Sequence, residues 1–339
     1  MNQSDLISIY EKSPKTQEFF EKIKVKKTLT IHGLSGSLKS LYISIILGKI
    51  KKNHFFIFQN KEDSLIFLND LNSLGILNTF FFSEKKQIED SVELTKLAHN
   101  LEENQNNIII SFTEAISKKF PNQKVLKKDI YKLSKNDEID IIYLENHLLN
   151  KGFEQVDFTT KPGEFSIRGF IIDIFSFSNE NPYRIILSSN KVESIMTFDT
   201  ETQLSKNNID KISIAPNIYN PKIKNENYIF SYLDKESMIW LENKEIIHKH
   251  FPEELNDEIN KFITINITNS KIKKSENHLI IKSTIQKSFN KNINLLEKEI
   301  EQDSNELNQI IITQSKSQKK KFKNIFNNIF FKKNYEIIK

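Results

Sequence analysis

Residues 152–205 read GFEQVDFTTKPGEFSIRGFIIDIFSFSNENPYRIILSSNKVESIMTFDTETQLS. Short apolar runs follow one another with turn residues between them: Phe165 to Arg168, Ile171 to Phe175, Tyr183 to Leu187, Val192 to Phe198. That spacing predicts a small β-rich unit. Gly163 and Gly169 permit turns and close backbone approach, and Pro162 and Pro182 fix where strands begin. Ile171, Phe175 and Phe177 are its expected core. Asp173 lies between apolar neighbours, which predicts a local partner for its carboxylate rather than chemistry.

Composition singles out the same stretch. Of the 49 basic residues all but Arg168 and Arg184 are Lys, and no glycine follows Gly169. Such usage fits a drift from Arg to Lys of the kind an AT-rich genome produces, so the net charge of +5 reads first as a solvated Lys-rich exterior. Against that background two retained arginines mark positions that a hydrated ammonium cannot serve, because only the guanidinium offers a planar fork of donors. Two roles fit: structural salt bridges, or two forks presented from one sheet to acidic groups on a partner.

Outward from this stretch the texture differs. Residues 1–127 alternate strand-like and helical runs. Residues 4–22 look helical, and Thr28 to Ile31 is a short strand. Lys39 to Lys51 has helical spacing, and Phe55 to Phe58 reads as a buried strand. Leu65, Leu68, Leu71 and Leu74 suggest a helix face, and Phe80 to Phe82 and Ile108 to Ile110 are further strands. Such alternation predicts a parallel α/β sheet. The β-rich unit is expected over 128–216, with a helix from Ile139 to Leu149 that Gly152 stops. Residues 217–339 are expected to form a second, incomplete α/β part. Met238 to Leu241 and Ile310 to Ile312 are its strands, Ile293 to Ile300 a helix, and Phe322, Ile325, Phe326, Ile329 and Phe330 one face of a last, basic helix.

The chain has no cysteine, which excludes disulfides and thiolate metal sites. It has no basic start of a signal peptide and no apolar run near the roughly 18 residues that span a bilayer. No membrane role and a cytoplasmic location are expected. His248 and His250 lie two apart, a poor spacing for one metal on a helix, and the pair Glu253 and Glu254 reads as a solvated helix surface.

Gly33-Leu34-Ser35-Gly36-Ser37-Leu38-Lys39-Ser40 follows the first strand. Gly33, Lys39 and Ser40 fit the phosphate-binding loop G-x-x-x-x-G-K-[ST], but Leu38 stands where the second glycine belongs. A side chain there crowds the backbone that would wrap phosphates. No acid ends the Ile108 to Ile110 run, and Glu145 falls in an expected helix. A relic loop closing a structural turn is the favoured reading, with Gly36 as part of that turn.

The motifs Gly163-Glu164-Phe165, Arg168-Gly169, Asp173-Ile174-Phe175, Pro182-Tyr183-Arg184, Glu193-Ser194-Ile195 and Phe198-Asp199 stand in one register. They resemble the UvrB-like, N-terminal module of the bacterial transcription-repair coupling factor (Mfd) family. The worn glycine loop favours that family over UvrB itself. The resemblance implies a degenerate helicase-like, P-loop-type α/β domain with an inserted UvrB-interaction-like β-rich domain. It also implies a partner, UvrA, held by Arg168 and Arg184, with Gly163, Glu164, Phe165, Gly169, Asp173 and Tyr183 as supporting motif residues. No cofactor is expected on this chain, although the full-length family uses ATP. RNA polymerase and double-stranded DNA are expected partners only of family domains that this chain, read as truncated, lacks. Two departures matter: Ser188 stands where the family has an aromatic after the second arginine, and Met196 replaces an arginine. The first implies weakened UvrA binding. The expected function is a non-catalytic UvrA-binding module that recruits nucleotide excision repair to stalled transcription. The rivals are a shortened UvrB-like repair ATPase and a decayed remnant without activity.

Overall fold

A computed structural model describes residues 3–83, 106–117, 119–121, 128–217, 225–270, 277–284, 287–290, 292–303, 309–313, 315–325 and 335–338, together with Thr95, Leu97 and Leu101. The chain opens with helices α1 (Gln3–Glu11) and α2 (Pro14–Val25). The single helix expected over 4–22 is therefore two. Ser13 caps the second by accepting from the Lys15 N–H, and Pro14 follows it at the first helical position, where a missing N–H costs nothing.

The first strands are β1 (Thr28–His32), β2 (His54–Phe58), β3 (Thr79–Phe81) and β4 (Ile108–Phe112). Helices α3 (Leu38–Lys49) and α4 (Lys61–Ser73) connect β1 to β2 and β2 to β3. Every residue of β2 and β4 is buried, as continuous apolar runs in a sheet covered on both faces should be. On α4 the buried residues are Ser64, Phe67 and Leu71, while Leu65 is exposed. The expected stripe of leucines fails because a strict three-residue repeat falls short of the ~3.6-residue turn and rotates off the contact face.

After a short pair-forming strand β5 (Phe120–Pro121), strands β6 to β13 build the second unit. They are β6 (Tyr131–Ser134), β7 (Glu154–Gln155), β8 (Glu164–Arg168), β9 (Ile171–Ile174), β10 (Tyr183–Ser188), β11 (Lys191–Phe198), β12 (Ser205–Asn208) and β13 (Lys211–Ile214). Six of them form one sheet in the order β12-β11-β10-β9-β8-β7, antiparallel except where β7 meets β8. Strands β6 and β13 pair with each other and bring the two ends of the insertion together. Helix Ile141–Asn150, capped by the Asp140 carboxylate, buries Leu144 and Leu148 with Phe165, Ile172 and Ile185 in a core of this unit's own, drawn from residues 133–214.

Beyond β14 (Asn225–Asn227), which pairs with β5, come β15 (Met238–Glu242), β16 (Ile263–Thr268) and β17 (His278–Ile280). These three do not start a second α/β part. They complete the first sheet, whose order is β17-β1-β16-β15-β2-β4-β3 with every pair parallel. The expected unit 217–339 is thus divided, because an inserted unit separates strands of one sheet without weakening their pairing. Trp240 sits inside this sheet, stacked between Phe19 and Phe56, and its indole N–H donates to His54 Nδ1 at 3.0 Å. Outside the sheet are helix Ile293–Asp303, the parallel pair β18 (Gln309–Ile312) and β19 (Tyr335–Ile338), and helix Lys316–Ile325. Phe326, Ile329 and Phe330 of the expected apolar face lie outside the described residues. No described helix is long and apolar enough to cross a membrane.

Candidate interaction surface

Alternation along β8, β9 and β10 divides their side chains between two faces. Phe165, Ile172, Ile174, Tyr183 and Ile185 point to the unit's core. The register sets Ser166, Asp173, Arg184 and Met196 in one row on the opposite face, and Arg168, Ile171, Ile186 and Ser194 in the next. Ile171 is therefore not the core residue expected; it is exposed, whereas Phe175 and Phe177 are buried. The reason is parity: Ile172 and Ile174 take the inward positions of β9.

The two arginines converge on one carboxylate. Asp173 is fully buried. Its Oδ2 accepts from Arg168 Nη2 at 2.5 Å and from Arg184 Nη2 at 2.9 Å, and its Oδ1 accepts from Arg184 Nε at 2.8 Å. The local partner expected for Asp173 is thus both arginines. Arg184 is forked bidentately on it, donates again to the Gln203 carbonyl at 2.8 Å, and lies over the Phe198 ring with its side chain only 14% exposed. Beside Asp173 its guanidinium is held even more firmly protonated than usual. Arg168 is more open, with its side chain 36% exposed; it donates to the Asp157 carbonyl and stacks on Phe158. Two cations on one buried anion leave an excess positive charge beside an exposed guanidinium edge.

The supporting motif residues have distinct jobs. Gly163 has φ +89°, and a Cβ there would fall 2.4 Å from the Phe177 ring. Gly169 turns the β8–β9 hairpin at φ +61°. Burial pushes the Glu164 carboxyl up, but the N–H groups of Thr160 and Lys161 outweigh it and hold the group below the usual range. Phe165 and Tyr183 are core residues.

The glycine loop is occupied from within. Gly33 has φ +84°, and a Cβ there would strike the Ile281 carbonyl at 1.9 Å. Ser283 Oγ donates to the Gly33 carbonyl and accepts from the Ser35 N–H at 3.3 Å, where a phosphate oxygen would sit in a working loop. Gly36 also has positive φ, at +55°. Lys39 is ion-paired to Glu242 at 2.5 Å, and the Ser40 hydroxyl donates to Asp70 at 2.7 Å. Ser283, Glu242 and Asp70 thus engage the loop groups, Lys39 and Ser40 among them, that meet phosphate and metal in a working phosphate-binding loop. Sequence reasoning missed Glu242, although the signal was present in an apolar strand, Met238 to Leu241, that ends on an acid. Glu145 lies in a helix, as expected. His248 and His250 lie on helix Lys244–His250, and no cluster of three or more His, Cys, Asp or Glu suited to a metal exists among the described residues.

Residues 131–219 match the UvrB interaction domain family. Over a wider span the chain is 28% identical to the transcription-repair-coupling factor of Borreliella burgdorferi across 247 residues, 70% of this chain and 20% of that protein. It is 30% identical to the Bacillus subtilis factor of the same name across 200 residues, 56% of this chain and 17% of that protein. A Staphylococcus aureus factor is 43% identical over 79 residues, 23% of this chain and 7% of that protein. These matches agree with the expected N-terminal, UvrB-like module of transcription-repair coupling factors. The chain spans about a fifth of the length of the curated relatives it matches.

Proposed function

We propose that this chain is a non-catalytic UvrA-binding module that recruits nucleotide excision repair to stalled transcription in the cytoplasm. The observation that carries this reading is the Arg168–Asp173–Arg184 cluster on the outer face of the segment that matches the UvrB interaction domain. A buried carboxylate beneath two guanidinium groups fixes a cationic group at a sheet surface with little rotamer entropy left to lose on binding. The non-catalytic part is supported by the glycine loop, where Leu38 replaces a glycine and Lys39 and Ser40 are engaged by Glu242 and Asp70. Nucleotide, RNA polymerase and DNA contacts belong, in this reading, to other domains of the family.

Titration of the purified chain against UvrA tests it. Saturable binding is expected, lost in an Arg168→Lys, Arg184→Lys double variant; unchanged binding by that variant refutes the role given to the arginines. DNA-stimulated ATP turnover by the chain, abolished by Lys39→Ala, would establish the ATPase reading instead. A folded chain that binds no UvrA would leave the decayed remnant.

A further inference from the structure

Strands β1, β15 and β16 end at a cavity of about 430 Å³. That size falls within the roughly 300–1,000 Å³ of small-molecule sites, and the carboxyl ends of parallel strands are where α/β sheets hold their ligands. Its wall includes His32, Asn243, Lys244, Asn266, Thr268 and His278. Nothing from Gly33 to Ser40 lines it, so it is a different place from the glycine loop.

The hydrogen bonds already made decide what the cavity can take. Asn266 Oδ1 accepts from the Lys244 N–H at 2.8 Å, and Asn243 Oδ1 accepts from the Thr268 hydroxyl at 2.9 Å. Both amides thus have their acceptor engaged, and neither Nδ2 has a partner among the described residues. His32 Nε2 and His278 Nδ1 lie 3.2 Å apart. Two neutral imidazoles carry two N–H groups and use one on this contact, so one is left over in either tautomer. His32 is 6% exposed, and its Nδ1 sits beside the Ser270 backbone without a well-formed hydrogen bond. Lys244 is half-buried; burial lowers its pKa, and no carboxylate pairs with its ammonium among the described residues. Glu245, on the rim, is exposed. A half-buried cation among unengaged donors is costly unless an anion meets it.

We propose that this cavity binds a small phosphate ester, held at its phosphoryl group by Lys244 Nζ, the Asn243 and Asn266 amides and the spare imidazole N–H. The proposal goes beyond the UvrA-binding reading and does not depend on it. Phosphoryl oxygens accept only, and a phosphoryl group presents three of them to take charge-assisted bonds from these donors. Ile246, also on the wall, gives the organic part of the ester an apolar contact. A metal ion does not suit the wall, because Lys244 repels it and no cluster of three or more His, Cys, Asp or Glu suited to a metal exists among the described residues.

Calorimetric titration of the whole chain near neutral pH, at fixed ionic strength, tests this with inorganic phosphate and glycerol 3-phosphate as probes. Each should bind at one saturable site, the ester more tightly. Lys244→Gln should weaken both at least about tenfold, the loss expected for one charge-assisted bond. Asn266→Asp keeps the acceptor for the Lys244 N–H but puts a carboxylate oxygen in place of the amide donor, and should abolish binding. Lys249→Gln, the same loss of charge at an exposed position of helix Lys244–His250, should bind as the parent does. Circular dichroism checks that each variant is folded. No saturable binding by the parent, or undiminished binding by Lys244→Gln and Asn266→Asp, overturns the proposal. Binding lost in Lys39→Ala but kept in those two variants would move the anion to the glycine loop and overturn it as well. Ester binding no tighter than that of phosphate would overturn the ester and assign the site to the free ion.

Discussion

Asp173 is the residue on which the second unit's outer face depends. A buried carboxylate is tolerated here because three charge-assisted hydrogen bonds from two guanidinium groups replace its hydration. Asp173→Ala should therefore destabilise the unit by about 3–5 kcal/mol, since it strands Arg184 half-desolvated. Urea unfolding followed by circular dichroism would measure this, and a loss below ~1 kcal/mol would show the cluster to be hydrated in solution. Gly163 makes a second residue-level case. Its φ of +89° and the Phe177 ring 2.4 Å from a notional Cβ predict a loss of roughly 1–3 kcal/mol for Gly163→Ala. Gly169→Ala, with the same sign of φ but open space around it, should cost less, so the two variants separate ring contact from backbone strain. Asp173's need for a partner was legible from its apolar neighbours. That the partner would be both arginines was not, because two ion pairs across three strands depend on register.

At the scale of elements, β2 and β15 lie side by side and share a buried polar link. Trp240 donates to His54 Nδ1, so His54 carries its proton on Nε2 and donates it in a hydrogen bond to the Ile50 carbonyl at 3.1 Å. Burial holds this imidazole down to about 4 from an ordinary 6.5. The unfolded chain takes up a proton as pH falls through ~6.5, while the folded chain refuses it until about 4. The stability this neutral histidine confers is thus complete above pH ~6.5 and lost as pH falls towards 4, by about 3 kcal/mol. Urea midpoints measured from pH 7.5 to 4.5 should fall, and the slope should flatten in His54→Gln; an unchanged slope would locate the acid sensitivity in other groups. Helix and strand positions in this sheet were largely readable. The inward face of α4 was not, since Leu65 to Leu74 gave a plausible stripe that drifts around the helix.

Among the described residues, two large cores share one chain, beside a small cluster around Ile300. One gathers Phe19, Trp240 and Ile265 from both flanks of the insertion, and the other lies wholly within 133–214. A unit that carries its own core and has its ends clamped by the β6–β13 pair should fold alone. A fragment of residues 128–217 is expected to melt cooperatively. Leu144→Ala should lower that transition by about 2–5 kcal/mol while leaving the Trp240 fluorescence transition of the whole chain in place. A single transition shared by both probes would mean that the cores unfold as one.

The amino-acid sequence by itself determined the local order of strands and helices, the β-rich nature of 128–216, the two arginines as the positions to watch and the family resemblance. Periodicity and composition act between near neighbours, and the motif residues stand within fifty positions of each other. Only the tertiary structure decided that β15, β16 and β17 return to the first sheet, that Glu242 neutralises Lys39 from 203 residues away, and that Arg184 turns inward while Arg168 stays more open beside Phe158. Those outcomes are set by which strands pair and in what register, and pairing across an insertion leaves no periodic trace in the residues that take part.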